Sequence, residues 1–258
     1  MRVGVFQCAS GGLSTDERLN RLENAMVSNH SGEHLDLVLC SELFTSGYNV
    51  GDDLRATAEA PQGETFDKIS AISKKLNVAI AYGYPEQGDH CLYNSAALIS
   101  SSGELIANHR KQLNSPGSFE EDYFVPGNTP TYFTYGGLKI AILICYEVEF
   151  PESVRNAAVN GVHLVLVPTA LVAQWSVVAH QVVPTRAFEN GIWLAYANHA
   201  GHENGFDYLG GSKIVAPDGK IEAEAGYSEE LIMTEIEINR VRYAQKRLPY
   251  LRDYKKYS

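Results

Sequence analysis

Short apolar runs of strand length alternate along this chain with segments whose apolar residues recur at helical spacing, and that alternation predicts an α/β fold. A second observation narrows the class. The order of elements repeats in the two halves, and local strings echo one another: Leu37–Val38–Leu39 beside Leu164–Val165–Leu166, and Ala79–Ile80–Ala81–Tyr82 beside Trp193–Leu194–Ala195–Tyr196. Two similar halves with antiparallel returns predict two sheets packed face to face with helices outside, a four-layer α-β-β-α sandwich. An open three-layer α/β sheet satisfies the same periodicity, and the pattern alone leaves both open. Third, no linker or low-complexity stretch interrupts the 258 residues, which predicts one domain spanning 1–258.

In the first half, Val3–Gln7 is an apolar strand. Ser14-x-x-Glu17 forms a capping box ahead of Leu19, Leu22 and Met26 at helical spacing. Leu35–Cys40 reads as a buried strand, and Phe66, Ile69, Ile72 and Leu76 mark a second helix. Val78–Tyr82, Tyr93–Ile99 and Glu104–His109 are strands, the last two joined by a turn at Ser101–Ser102–Gly103. The second half opens with a strand at Leu138–Ile144. Pro151 suits the first turn of a helix that Gly161 stops. Leu164–Val167 is a strand, and Trp175–Asn190 has helical spacing that Pro184 kinks or divides. Strands follow at Ile192–Ala197 and Leu209–Val215, then a Pro217–Asp218–Gly219 turn into Lys220–Ala225. Residues 247–258, rich in Tyr and Lys, show neither period and read as a C-terminal arm, frayed or packed on a neighbouring subunit.

Composition bounds the function. Asp and Glu outnumber Lys and Arg by 31 to 21, a net charge of −10, which argues against nucleic acid and against an anionic membrane surface as partners. No apolar stretch reaches the roughly 18 residues that a membrane-spanning helix needs, and the N-terminus lacks a signal-peptide layout. The 4 cysteines, at 8, 40, 91 and 145, include no C-x-x-C pair, so reduced thiols and a cytoplasmic location are expected.

The sequence lacks G-x-S-x-G, G-x-G-x-x-G and G-x-x-x-x-G-K-[ST], which removes the common serine-hydrolase and phosphate-binding motifs. His199-x-x-His202–Glu203 hints at metal, yet Gly201 and Gly205 make it a loop without zinc spacing, so no metal is expected. Three polar residues instead sit where strands run out. Glu42 follows Leu37–Cys40, Lys111 follows the strand ending at His109, and Cys145 ends the strand that opens the second half. Residues at strand ends converge on one rim in layered α/β folds. A thiol, a carboxylate and an ammonium make a complete nucleophilic set: the carboxylate takes the thiol proton, and the ammonium favours thiolate and then an oxyanion. Each also has an ordinary structural reading, as core thiol, capping carboxylate and solvated cation.

The strings LVLCSELFTSGY (37–48), HRKQL (109–113), EEDYFVPG (120–127), LICYEVEFPE (143–152), GVHLVLVPTA (161–170) and RAFENGIWLAYAN (186–198) together resemble the landmarks of the nitrilase, or carbon–nitrogen hydrolase, superfamily. The resemblance runs from Val3 to about Glu237. It implies the four-layer nitrilase-like sandwich and a catalytic triad of Glu42, Lys111 and Cys145, with a supporting glutamate at Glu120, or else Glu121. Ser41 stands where proline is common in the family. SGYNVGDDL, YGYPE and CYEVEFPE are similar to aliphatic amidases, including stereoselective and 5-aminopentanamidase-like ones. The implied activity is hydrolysis of small primary amides to acid and ammonia through a thioester on Cys145, without a cofactor. A nitrilase that takes nitriles to acids uses the same triad, and a non-catalytic interaction protein on the same fold is the third reading. The resemblance also implies an oxyanion donor at the Tyr146 backbone, substrate contacts at Thr169 and Ala170, and a homodimer or larger assembly. Glu149 lies where relatives that bind carboxylates keep arginine, so it favours cationic over anionic amides; it could equally be a salt-bridge partner of Arg155 or Arg186. Tyr48, Trp175 and Tyr208 are expected as apolar walls or as core.

Overall fold

The computed structural model describes residues 1–28 and 34–256. Two six-stranded sheets form its centre. In one, the strands lie in the order Glu230–Glu235, Arg2–Gln7, Leu37–Leu39, Ala79–Gln87, Leu92–Ile99, Leu105–Arg110. In the other, the order is Thr131–Tyr135, Leu138–Ile142, Leu164–Pro168, Trp193–Ala197, Lys213–Val215, Ile221–Glu224. Both follow one scheme: three parallel strands in the middle, one antiparallel neighbour on one side and two on the other. The echo between Leu37–Leu39 and Leu164–Leu166 is therefore an echo between matching strands.

Alternation within the strands explains the layers. Leu37 and Leu39 point into a core shared with Ile140, Ile142, Leu164 and Leu166 of the other sheet. Val38 and Cys40 point the opposite way, onto Leu19 and Leu22 of the helix Thr15–Val27 and Phe66 and Ile69 of the helix Glu64–Leu76. Each apolar run is buried on both faces, as parallel strands between helices and a second sheet must be. The capping box forms: the Glu17 N–H donates to Ser14 Oγ at 3.3 Å, and the Ser14 N–H donates to Glu17 at 2.8 Å. Pro151 opens the helix Pro151–Val159, and Gly161 follows it in the left-handed region at φ +79.

Four details differ from the sequence reading. Trp175–Asn190 is not one helix. A short turn, Ala173–Trp175, a wide π-type turn, Val178–Val182, and the helix Val183–Asn190 succeed one another, with Pro184 in the first turn of the last. Leu209–Val215 is also divided. Gly210 and Gly211 take φ +67 and +62 between Phe206–Leu209 and Lys213–Val215, and a Cβ on Gly210 would meet the Gly226 carbonyl at 2.7 Å. Phe206–Leu209 belongs instead to a small third sheet with Ala200–Glu203 and Ala9–Ser10. The C-terminal segment is helical over Ile238–Arg247 and Tyr250–Tyr254. It folds back on its own chain, with Tyr250 against Phe188 and Arg155 over the Tyr254 ring. Among the described residues no helix is long and apolar enough to cross a membrane.

Candidate active site

The turns after the strands Leu37–Leu39, Leu105–Arg110 and Leu138–Ile142 meet at one rim, and Glu42, Lys111 and Cys145 meet with them. Lys111 Nζ is buried between two carboxylates. It donates to Glu42 Oε1 at 2.7 Å and to both oxygens of Glu120, at 2.8 and 2.7 Å. Of the two adjacent glutamates, Glu121 is exposed and Glu120 is the one buried against Lys111. Asn94 Nδ2 donates to Glu42 Oε1 at 2.7 Å, and the Tyr48 hydroxyl donates to Glu120 Oε1 at 2.5 Å. The second oxygen of Glu42 is buried without a hydrogen-bond partner among the described residues. A buried acceptor in that state normally costs stability.

One ammonium cannot neutralise two buried carboxylates. Burial pushes Glu42 up to about 7; Lys111 opposes that rise and the Glu120 charge adds to it. Glu120 also suffers burial, yet Lys111, Tyr48 and the Ser115 N–H keep it below the usual carboxylate range. Burial alone would lower Lys111, but Glu120 and Glu42 carry it above the ordinary ammonium value. The site therefore holds a fixed ammonium–carboxylate pair, Lys111 with Glu120, and a titratable carboxylate, Glu42. Cys145 takes φ +48, a left-handed conformation uncommon for a residue with a side chain. Glu147 holds the turn behind it, accepting from the Ile144 N–H at 2.5 Å, from the Gln112 N–H at 3.0 Å and facing His109 Nε2 at 3.0 Å. Burial, and then the Glu42 charge, push the Cys145 thiol well above its usual range, so the sulfur is protonated at rest; Lys111 and the Thr169 hydroxyl act against that.

A cavity of about 740 Å³ opens over the thiol. Tyr48, Tyr146, Glu149, Ala170 and Trp175 line it. Thr169 is buried just beneath, near Cys145, with its hydroxyl 3.3 Å from that of Tyr196. Trp175 stands at the rim, 58% exposed. Tyr208 is not on the wall but behind it, in a core cluster with Tyr48 and Leu54. Glu149 is half-buried and makes no ion pair among the described residues. Arg186 donates instead to the Val148 and Glu149 carbonyls, at 3.1 and 2.6 Å, and pairs with Glu189, while Arg155 sits over Tyr254. Arg186 nonetheless stays close enough for its charge to favour the Glu149 carboxylate against the cost of burial.

The described residues contain no metal-binding cluster. His202 pairs with the exposed Asp207, whereas His199 and Glu203 turn inward. Asn94 and Ser115 complete the site, and the sequence reading passed over both. Asn94 is a buried amide beside the buried Ser95 in a mostly apolar strand, and which way each faces needed the fold.

The carbon-nitrogen hydrolase family model matches residues 2–246. A protein named hydrolase in pqqF 5'region, from Pseudomonas protegens, is 39% identical over 236 residues, covering 90% of this chain and 81% of that one. An (R)-stereoselective amidase from Pseudomonas sp is 29% identical over 254 residues, covering 98% and 91%. Among solved structures, a variant of the amidase from Nesterenkonia sp. AN1 shows covalent addition of the acetamide moiety of fluoroacetamide at its active-site cysteine. It is 33% identical, with a TM-score of 0.84 over 98% of this chain and 96% of that one. With the doubled sheets, the buried carboxylates and the thiol at one rim, these likenesses agree: the chain belongs to the carbon–nitrogen hydrolase family and is an amidase of the nitrilase superfamily.

Proposed function

We propose that this amidase hydrolyses small primary amides to carboxylic acid and ammonia through a thioester on Cys145. The observation that carries the reading is the single ammonium of Lys111 held between Glu42 and Glu120 beside a protonated thiol at the floor of a cavity. The unpartnered oxygen of Glu42 takes the thiol proton as sulfur attacks the amide carbon. The carbonyl oxygen becomes an oxyanion held by Lys111 and by the Tyr146 backbone N–H. Glu42 returns the proton to the leaving nitrogen, the carbon–nitrogen bond breaks, and ammonia departs. Water then gives a proton to Glu42 and its hydroxyl to the thioester carbon. The acid leaves and the proton returns to sulfur. Glu120 stays ionised and fixes the Lys111 charge.

The cavity bears on the acyl group. Two carboxylates, Glu149 and Asp207, line it, and among its described lining residues there is no lysine or arginine. Anionic amides would enter against that field, while neutral amides and ω-amino amides would not. A homodimer is part of the same proposal: Phe188, Tyr250 and Tyr254 leave apolar surface exposed on adjoining helices. Light scattering at micromolar concentration tests it, and a monomer counts against it.

The test of the activity is ammonia release from a panel of simple amides and their matching nitriles, with intact mass read during turnover. An acyl adduct that Cys145→Ala abolishes is the expected result. Turnover of the nitriles with none of the amides, or activity retained in Cys145→Ala, would overturn the reading.

A further inference from the structure

We propose that Glu203 is a positioning residue: it holds the loop that follows Glu42 so that the Tyr48 hydroxyl keeps Glu120 against Lys111. The inference rests on the reading of Glu42, Lys111 and Glu120 as reacting groups. Glu203 is 2% exposed and ends the strand Ala200–Glu203 of the small third sheet. Its Oε2 accepts from two successive backbone N–H groups, Tyr48 at 3.0 Å and Asn49 at 2.7 Å, and from the Tyr208 hydroxyl at 2.7 Å. Two consecutive N–H groups on one oxygen fix the plane of the chain at residue 48 and so aim its side chain. That side chain ends on Glu120 Oε1, 2.5 Å away, and Glu120 in turn grips Lys111.

The buried cation nearby does not account for the arrangement. Arg18 reaches Glu203 Oε1 only at 3.4 Å, and its Nε and Nη1 have no hydrogen-bond partner among the described residues. The shorter bonds of Glu203 all go to the loop and to Tyr208. Gly47 lies directly on the carboxylate: at φ +91, a Cβ there would stand 2.5 Å from Glu203 Oε1. The other end of the same loop is held by the same segment. His199 Nε2 lies 2.6 Å from the Glu42 carbonyl, an oxygen that only accepts, so Nε2 carries the proton. Nδ1 then accepts from Ser10, with the Ser41 hydroxyl at 3.3 Å. The segment 199–203 thus grips the loop at Glu42 and at Tyr48, and the third sheet serves to carry that grip.

The test is a double-mutant cycle on ammonia release, using butyramide as the probe and recording melting temperature alongside. Glu203→Gln and Tyr48→Phe are each expected to lower kcat about 10- to 100-fold with little change in KM, the scale of a small misplacement at a site. The double variant is expected to lose no more than the worse single, because both act along one path. Gly47→Ala wedges the loop off Glu203 while leaving both buried charges in place, and it reports if Glu203→Gln fails to fold. It too is expected to lower kcat without adding to Tyr48→Phe. Losses that multiply in the double variants, or an unchanged kcat in Glu203→Gln or Gly47→Ala, overturn the proposal. Glu120→Gln in the same series separates two failures. Full activity there refutes the reading of the site itself, whereas an inactive Glu120→Gln beside multiplying losses refutes the positioning role alone.

Discussion

Asn94→Leu tests the electrostatics of the candidate base. Asn94 Nδ2 donates to Glu42 Oε1 at 2.7 Å and so favours the ionised carboxylate, which burial has already pushed up to about 7. Leucine fills a similar volume with no donor. The Asn94 Oδ1 is buried without a partner, so the substitution strands no new group, and the main-chain bond from the Lys111 N–H to the Asn94 carbonyl, at 2.8 Å, is untouched. A hydrogen bond to a charged group is worth about 1.5–3 kcal/mol. With about 1.4 kcal/mol per pKa unit, Glu42 should rise by roughly one to two units. The base acts when ionised, so kcat/KM of the parent falls on the acid side of about pH 7 and that of the variant falls below roughly pH 8–9. At neutral pH the variant is then about 5- to 50-fold slower, and it regains most of the parent rate above its own limb. Ammonia release followed from about pH 5.5 to pH 10 reads this directly. A loss of equal size at every pH, or a limb that stays in place, would refute the assignment of Glu42 as the titrating base.

Other outcomes follow from the same geometry. Lys111→Met is expected to cost on the order of 10²–10³ in kcat and far less in KM, because the ammonium acts on charge that develops in the transition state; a raised KM with unchanged kcat would contradict that role. Glu149→Gln should narrow the differences among 5-aminopentanamide, pentanamide and a glutaramic-type acid amide, with the amine leading and the acid trailing in the parent. Equal change for all three at low and high salt would remove Glu149 from substrate selection. Glu42→Gln should raise the melting temperature while abolishing turnover. The folded pKa of Glu42, about 7, lies above the ordinary 4.5, so the stability tied to its proton is fully present below about pH 4.5 and is lost as pH rises through about 7. A neutral amide side chain at this position escapes that loss, so the gain should be large at about pH 8 and small at about pH 4.5; a gain independent of pH would sink the argument.

Which parts of this arrangement could be read from the sequence follows from how far their causes lie along the chain. Leu37–Val38–Leu39 and Ile142–Leu143–Ile144 announce strands buried on both faces, and polar residues shortly past such runs stand at strand ends. That placed Glu42, Lys111 and Cys145 near strand ends, but each also had an ordinary structural reading, and the family resemblance singled them out. Glu120 came from the family resemblance alone, and of the two glutamates it is the one buried against Lys111. Leu209–Val215 misled because Gly210 and Gly211 sit inside an apolar run, where only the approach of Gly226 shows that the chain must turn left-handed. Residues 247–258 show no period because the short helix there, Tyr250–Tyr254, is defined by what it covers, Phe188 and Arg155.

His199-x-x-His202–Glu203 is the instructive miss. Read locally, the two imidazoles and the carboxylate hint at metal, but Gly201 and Gly205 make the segment a loop without zinc spacing. The segment pairs with Ala9–Ser10, and that pairing, about which local spacing says nothing, turns His199 and Glu203 inward while His202 stays outside. Inward, each meets a backbone group of the loop that carries Glu42 and Tyr48. Burial strengthens the consequence: a histidine driven down to about 4 stays neutral across the working range and can keep donating to the Glu42 carbonyl. Glu203, held below the usual carboxylate range against the cost of burial by the Tyr208 hydroxyl, the Asn49 N–H and the Arg18 charge, keeps accepting from Tyr48. With Glu203 and Glu120 both held ionised, Glu42 is the member of this buried trio left to change its charge near neutrality, which is what a base that must both take and return a proton requires.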